Sequence, residues 1–219
     1  MALQEIEPGK KADGTPKAKR VLVDIPSYPT PAQVFRNVQD SEGWHYRIKD
    51  EEKVAWYRLR DKALVCLLYL IAPRISEALR LKKSQFQLNK GMDCWELIGM
   101  KISKVKIKNN KARVHTYRQE AWLPLSGERA KFTEIFVQFL DVCCDDEDRG
   151  IFYFRTTNRA LQIVGALTGM WNHYFRALGE QYLYRQWGND LLAVADYVKV
   201  DPATLGKYIQ ESYRDKPSV

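Results

Sequence analysis

PRISEALRL, residues 73–81, marks the place where two helical runs of the sequence meet. On its N-terminal side the pattern predicts a helix over Glu51–Ile71, with one break near Arg58–Asp61. The proline that opens the stretch interrupts this helix because it lacks an amide donor, and a helical run resumes over Ile75–Leu81. The first run places apolar side chains at helical spacing: Leu64, Leu67, Leu68 and Ile71. Arg74 therefore stands at a junction between two helices.

Downstream of this junction the sequence predicts a basic β-hairpin. Two β-like segments, Cys94–Ile107 and Ala112–Leu125, flank Asn109-Asn110, and asparagine tolerates the positive φ of a tight turn. No acidic residue lies between positions 96 and 120. Seven basic residues belong to the hairpin: Lys101, Lys104, Lys106, Lys108, Lys111, Arg113 and Arg118. Strand alternation puts Lys104, Lys106 and Lys108 on one face, which by default is a solvated face.

The remainder of the chain is predicted to be helical. A helix over Arg129–Val142 would place four apolar side chains on one face: Phe132, Ile135, Phe136 and Phe139. Further helical stretches lie within Leu161–Leu183 and over Asp190–Tyr197, and another begins after Asp201, where Pro202 fits a first helical turn. The fold class expected is mainly α with a small antiparallel β-sheet, an α+β domain.

The two ends differ in composition from this domain. Residues 1–30 contain five basic side chains among Gly, Pro and Ala, which predicts a flexible basic arm. The link punctuated by Pro26, Pro29 and Pro31 should be extended. We therefore expect one domain over residues 31–209 and a C-terminal tail over 210–219.

Composition limits the classes of function. The 219 residues carry a net charge of +8, which favours a polyanionic partner, either nucleic acid or an anionic membrane surface. No apolar run reaches the roughly 18 residues of a membrane span, and no amphipathic basic helix stands out. We expect a cytoplasmic protein, because the N-terminus also lacks the apolar stretch of a secretory signal. The sequence shows no phosphate-binding Gly-rich loop and no carboxylate cluster suited to paired magnesium ions. Reduced, partly buried thiols are expected at all four cysteines: Cys66, Cys94, Cys143 and Cys144.

Four features carry the candidate chemistry, and each has an ordinary explanation when taken alone. Arg74 would be a surface charge at a helix start, and His173 and Arg176, three residues apart, an ordinary polar helix face. The hairpin lysines would be solvated. Tyr208, nine residues after Lys199, is one of 12 tyrosines, most of which serve packing.

Taken in order, however, these features resemble the catalytic domain of the tyrosine recombinase (phage integrase) family. Arg74 to Leu81 resembles the first family box, and His173 with Arg176 matches the His-x-x-Arg box. Lys199 stands where the family usually has His or Trp, and Tyr208 stands at the nucleophile. Trp122-Leu123-Pro124-Leu125 resembles the segment that closes the family hairpin. The resemblance covers roughly Glu51 to Ile209.

This resemblance implies a site-specific DNA strand transferase that needs neither metal nor ATP. It implies attack by Tyr208 to give a 3′-phosphotyrosyl intermediate, with Arg74 and Arg176 holding the phosphate. A hairpin lysine would protonate the leaving 5′ oxygen, and we favour Lys104, followed by Lys106. The implied partners are double-stranded DNA and further copies of the chain, as a homo-tetramer on DNA. In proteins that this chain resembles, C-terminal tails dock onto a neighbouring protomer; an ordinary disordered terminus is the alternative for residues 210–219.

Several alternatives remain open at this stage. Lys199 is a departure that keeps alive a DNA-binding module with weak or lost catalysis, and a type IB topoisomerase would use the same attack. Glu77, about one turn after Arg74, would either orient that arginine or form an ion pair with another basic neighbour. Only about fifty residues precede the matching region, fewer than the N-terminal helical domain that family members generally carry.

Overall fold

The computed structural model describes residues 30–102, 116–144, 150–154, 156–170 and 172–206. In this part of the chain, helices surround a main apolar core and a small sheet lies at its side. A second, smaller apolar cluster includes Leu183, Val194 and Leu205. The helices are α1 (Pro31–Asp40), α2 (Glu51–Ile71), α3 (Ile75–Ala78), α4 (Ala130–Val142), α5 (Thr157–Thr168), α6 (Asn172–Gln186) and α7 (Leu191–Val198). The strands are β1 (Phe86–Asn89), β2 (Cys94–Ile102) and β3 (Thr116–Pro124). The predicted fold class, mainly α with a small antiparallel sheet, is confirmed.

Helix α2 forms the centre of the molecule. Every residue from Ala63 to Ile71 is buried, so the C-terminal half of this helix contacts neighbours on all sides. It ends at Ala72, which takes the left-handed conformation, and Pro73 prevents any continuation. The predicted end of the helix is thereby confirmed.

The predicted break near Arg58–Asp61 is wrong, because α2 is continuous through it. Arg60 and Asp61 are both buried there as an ion pair, with Arg60 Nη2 2.7 Å from an Asp61 carboxylate oxygen. The hydroxyl of Tyr46 donates to Asp61 and accepts from Arg60, and the guanidinium lies over the ring of Phe154. Burial raises the pKa of the Asp61 carboxyl, and the charge of Arg60 offsets part of that effect. These contacts supply hydrogen-bond partners for the polar side chains of the segment in which the sequence predicted a break in the helix.

The sheet is antiparallel in the order β1-β2-β3. The two predicted strands pair as a hairpin with Cys94 opposite Pro124 and Ile102 opposite Thr116. The turn expected at Asn109-Asn110 lies outside the described residues. Strand β1 was not predicted, because its four residues are too few to show an alternating pattern.

Elsewhere the predicted helices differ from the observed ones mainly at their ends. Helix α4 buries Phe132, Phe136 and Phe139, as expected, while Ile135 is only partly buried. Pro31, which was expected in the extended link, is instead the first residue of α1, and Thr30 caps that helix. Pro26 and Pro29 lie outside the described residues. Residues 202–206 are helical, in line with the start predicted after Asp201. None of the helices in the described ranges is both long and apolar enough to cross a membrane.

Candidate active site

Arg74 is held by a carboxylate on its own short helix. One oxygen of Glu77 accepts from the main-chain nitrogen of Arg74 and the other accepts from Arg74 Nη1, both at 2.8 Å. Glu77 is buried, whereas the side chain of Arg74 remains 34% exposed. Of the two interpretations of Glu77, orientation of Arg74 is therefore the one that the structure supports.

The end of α2, which fixes the start of this short helix, is stabilised by a buried cation. Arg129 Nη2 donates to the main-chain oxygens of Tyr69 and Leu70, which lie in the last turn of α2 where carbonyls lack helical partners. The guanidinium also lies over the rings of Tyr69 and Tyr182, at 5.2 and 4.4 Å. Burial lowers the pKa of Arg129. This residue joins α2 and α6 to the start of α4.

Helix α6 crosses the same end of α2 in close contact. A β-carbon at Gly179 would lie 2.7 Å from the carbonyl oxygen of Tyr69, so only glycine allows this approach. Arg176 lies one helical turn before Gly179. The crossing therefore brings the helix that carries Arg176 to the end of α2 from which Arg74 follows.

Arg176 is buried but incompletely bonded. Its side chain is 7% exposed, and Nε donates to Glu180 Oε1 at 2.7 Å. Glu180, one turn later on α6, is 3% exposed. Nη2 of Arg176 is buried and has no hydrogen-bond partner among the described residues. Arg176 therefore keeps one buried donor for which the described residues supply no acceptor.

Lys199 terminates α7 in the left-handed conformation, with φ 51°. Its Nζ lies 2.7 Å from Asp196 Oδ1, but the Asp196 side chain is 80% exposed. Ion pairs of this kind contribute roughly 0–1 kcal/mol. Lys199 can therefore leave Asp196 for a phosphate oxygen at little cost.

The helix that carries Lys199 is attached to the hairpin through Tyr197. The hydroxyl of Tyr197 accepts from the main-chain nitrogen of Trp122 at 3.2 Å, and the two rings stack at 5.5 Å. Trp122 lies near the end of β3, which is an edge strand of the described sheet. The Tyr197 hydroxyl therefore accepts a hydrogen bond from a main-chain N–H on that edge strand. Tyr197 thus fixes Lys199 relative to the strands of the basic hairpin.

A cavity of about 660 Å³ lies beside this contact. Trp122, Arg129, Tyr182, Trp187 and Tyr197 are among its lining residues, whereas the three candidate basic residues described above are not. Trp122 Nε1 and Arg129 Nε are buried without partners among the described residues. Aromatic side chains therefore line much of the cavity.

The sequence-predicted site residues fall into three groups. The side chains of Arg74, Arg176 and Lys199 are placed by the structure as described above. His173 lies on α6, one turn before Arg176, but its side chain is outside the description. Lys104, Lys106 and Tyr208 lie outside the described residues, as do the basic arm before residue 30 and the tail over 210–219.

Three residues that matter here were not singled out from the sequence: Arg129, Glu180 and Tyr197. The four-residue spacing of Arg176 and Glu180 is that of an intrahelical ion pair and was available as a signal. No local signal identifies Arg129 or Tyr197, because their partners are about 60 and 75 residues away in the chain.

In a comparison with solved structures, the fold of this chain is similar to that of the site-specific recombinase XerH in two complexes. The pre-cleavage complex bound to difH substrate matches 91% of this chain with a TM-score of 0.52 and 16% identity. The post-cleavage complex bound to palindromic difH substrate matches 94% with a TM-score of 0.52 and 13% identity. This chain has the tyrosine recombinase fold.

The matches to the recombinase fold cover 55% and 58% of the two XerH chains, so this chain spans little more than half of their length. A scan against models of protein families gives no match, and no curated protein matches significantly. The similarity to these recombinases is therefore detected in the tertiary structure and not in the sequence comparisons.

Proposed function

We propose that this chain is the catalytic domain of a site-specific tyrosine recombinase that cleaves and rejoins double-stranded DNA. The observation that carries the proposal is the state of Arg176 within the recombinase fold. Its guanidinium is buried and held at Nε by Glu180, and Nη2 has no partner among the described residues. Phosphate oxygens are suitable ligands for such a group.

The proposed reaction is attack by the Tyr208 hydroxyl on a DNA phosphate. A 3′-phosphotyrosyl bond forms, and the 5′ oxygen leaves with a proton from Lys104 or, in second place, Lys106. Negative charge grows on the non-bridging oxygens during this step, and Arg74 and Arg176 would stabilise it because arginine stays protonated. His173 would either accept the proton that the Tyr208 hydroxyl loses or donate a hydrogen bond. Lys199 would donate a hydrogen bond to a phosphate oxygen. No step requires metal or ATP.

The proposed assembly is a homo-tetramer on DNA, located with the nucleoid or viral DNA that it recombines in the cytoplasm. Integration of a mobile element or viral genome is the reaction that we favour. Among the described residues, a candidate surface to receive a neighbour's tail is the cavity between Trp122 and Trp187, because aromatic side chains line much of it. A chain ending at residue 209 should then bind DNA without forming tetramers in sedimentation experiments.

The test is a search for protein covalently joined to DNA. The full chain is incubated without metal with sheared genomic DNA of its source, trapped with denaturant, and the attached DNA is sequenced. A nicked duplex of the enriched sequence, which blocks religation, is then compared with wild type and Tyr208→Phe. We expect an adduct with the wild type alone, concentrated at one sequence.

Other outcomes distinguish the alternatives. Adducts spread evenly over the DNA, with relaxation of supercoiled plasmid, would indicate a type IB topoisomerase. Sequence-specific binding without an adduct would indicate a DNA-binding module. An adduct that persists in Tyr208→Phe would show that the nucleophile is a different residue.

A further inference from the structure

A buried carboxylate, Glu180, lies on α6 one turn after Arg176 and has no part in the reaction proposed above. We propose that Glu180 is a positioning residue, which fixes the guanidinium of Arg176 so that Nη2 meets a non-bridging phosphate oxygen. This inference rests on the proposed function. Glu180 would not itself contact DNA, since its Oε1 is engaged with Arg176 and its side chain is almost fully buried.

The hydrogen bond is directional. Nε carries a single N–H in the plane of the guanidinium, so the 2.7 Å bond to Glu180 fixes the plane about the side chain. Nη2 lies on the same edge of the guanidinium as Nε, so this bond also fixes the directions of the two N–H groups of Nη2. Nη2 is buried without a partner among the described residues. An unused buried donor costs about 1–3 kcal/mol, a cost that an incoming oxygen atom would remove.

A second buried arginine, Arg60, has a different set of hydrogen bonds. Arg60 is also buried beside a carboxylate, but it uses both Nε and Nη2 on Asp61 and Tyr46. Arg176 donates from Nε to Glu180, and its Nη2 has no partner in the described part of the chain. The two buried pairs therefore differ in the donor that the protein leaves available.

Arg74 also forms an ion pair with a nearly buried glutamate. Glu77 lies three residues after Arg74, and Glu180 lies four residues after Arg176. Buried ion pairs add little stability compared with apolar residues of similar volume. If Arg74 and Arg176 are oriented toward the same phosphate, this orientation explains why each is paired with a buried glutamate.

The experiment measures the single-turnover rate of adduct formation on the nicked duplex, at saturating protein. We expect Glu180→Ala to slow the step about 10²-fold, the effect typical of a misplaced contact group. Glu180→Gln retains an acceptor for Nε and should recover most of that loss. In an Arg176→Ala background, Glu180→Ala should cause no further loss, because it acts only through Arg176.

Asp61→Ala is the matched control. It also removes the acid of a buried pair, but it lies about 15 Å from the end of α2 along the helix. Measured well below both melting temperatures, it should leave the rate unchanged. The inference is overturned if Glu180→Ala slows the step no more than Asp61→Ala, or slows it equally in the Arg176→Ala background. Absence of an adduct with the wild type would instead reject the proposed function, and this inference with it.

Discussion

Arg129 donates a hydrogen bond of 2.6 Å from Nη2 to the main-chain carbonyl of Tyr69. The two residues lie 60 positions apart in the chain, and the bond closes the last turn of the central helix. The same turn leads through Ala72 and Pro73 to Arg74. A buried cation thus stabilises the helix end on which the proposed phosphate contact depends.

Replacement of Arg129 by methionine should lower the free energy of unfolding by about 1–3 kcal/mol. Methionine fills similar space, but the carbonyls of Tyr69 and Leu70 lose a buried donor. Urea denaturation followed by circular dichroism measures the change. Arg58→Met, on the exposed face of α2, is the control and should fall within about 0.5 kcal/mol of wild type. Equal stabilities for the two variants would contradict the role of Arg129.

Gly179→Ala should destabilise the protein by about 1–3 kcal/mol. The new β-carbon would lie 2.7 Å from the Tyr69 carbonyl, and main chain must move to admit it. Gly165→Ala on α5 is the matched control, because the nearest atom there is 4.0 Å away. Alanine favours helix, so the control should be neutral or stabilise by about 0.5–1 kcal/mol. Thermal unfolding of both variants tests the close crossing of α2 and α6.

Tyr197→Phe should loosen α7 while leaving the core intact. The ring still stacks on Trp122, but the main-chain N–H of Trp122 loses the hydroxyl that accepts from it. We expect a loss of about 0.5–1.5 kcal/mol. Hydrogen exchange should become faster over Leu191–Val198 and stay unchanged in α4. Unchanged exchange in α7 would mean that stacking alone holds this helix.

One cysteine should react much faster with iodoacetamide than the other three. Cys144 is exposed, whereas Cys66, Cys94 and Cys143 are buried. Burial also raises the pKa of the Cys66 and Cys94 thiols, which depletes the reactive thiolate. Mass spectrometry should find one rapid adduct in the folded protein, lost in Cys144→Ser, and four in urea. Rapid labelling of two or more sites would contradict the packing described for these residues.

Binding to duplex DNA should depend strongly on salt. The net charge of +8 and the basic hairpin predict that phosphate contacts dominate, so bound counterions are released. We expect affinity for a 30-base-pair duplex to fall about 10²-fold or more between 50 and 200 mM salt, measured by fluorescence anisotropy. A near-constant affinity over this range would argue against DNA as the partner.

The local pattern was sufficient where neighbours in the chain determine the structure. The end of α2 at Pro73 follows from the missing proline donor, and the buried face of α4 follows from apolar spacing. Local patterns failed at Arg60 and Asp61. Two adjacent charges suggest a break, but the hydroxyl of Tyr46 and the ring of Phe154 complete their environment. Those partners come from other segments.

By itself, the sequence determined the helical runs, the antiparallel hairpin, the end of the central helix and the order of the candidate residues Arg74, Arg176 and Lys199. These properties depend on spacings of a few residues. Only the tertiary structure decided that Arg176 is buried against Glu180, with Nη2 lacking a partner among the residues that the structure describes, and that Arg129 closes the end of α2. The reason is physical: burial and hydrogen-bond satisfaction depend on which helices cross. That crossing depends on contacts such as the one at Gly179, between segments more than a hundred residues apart.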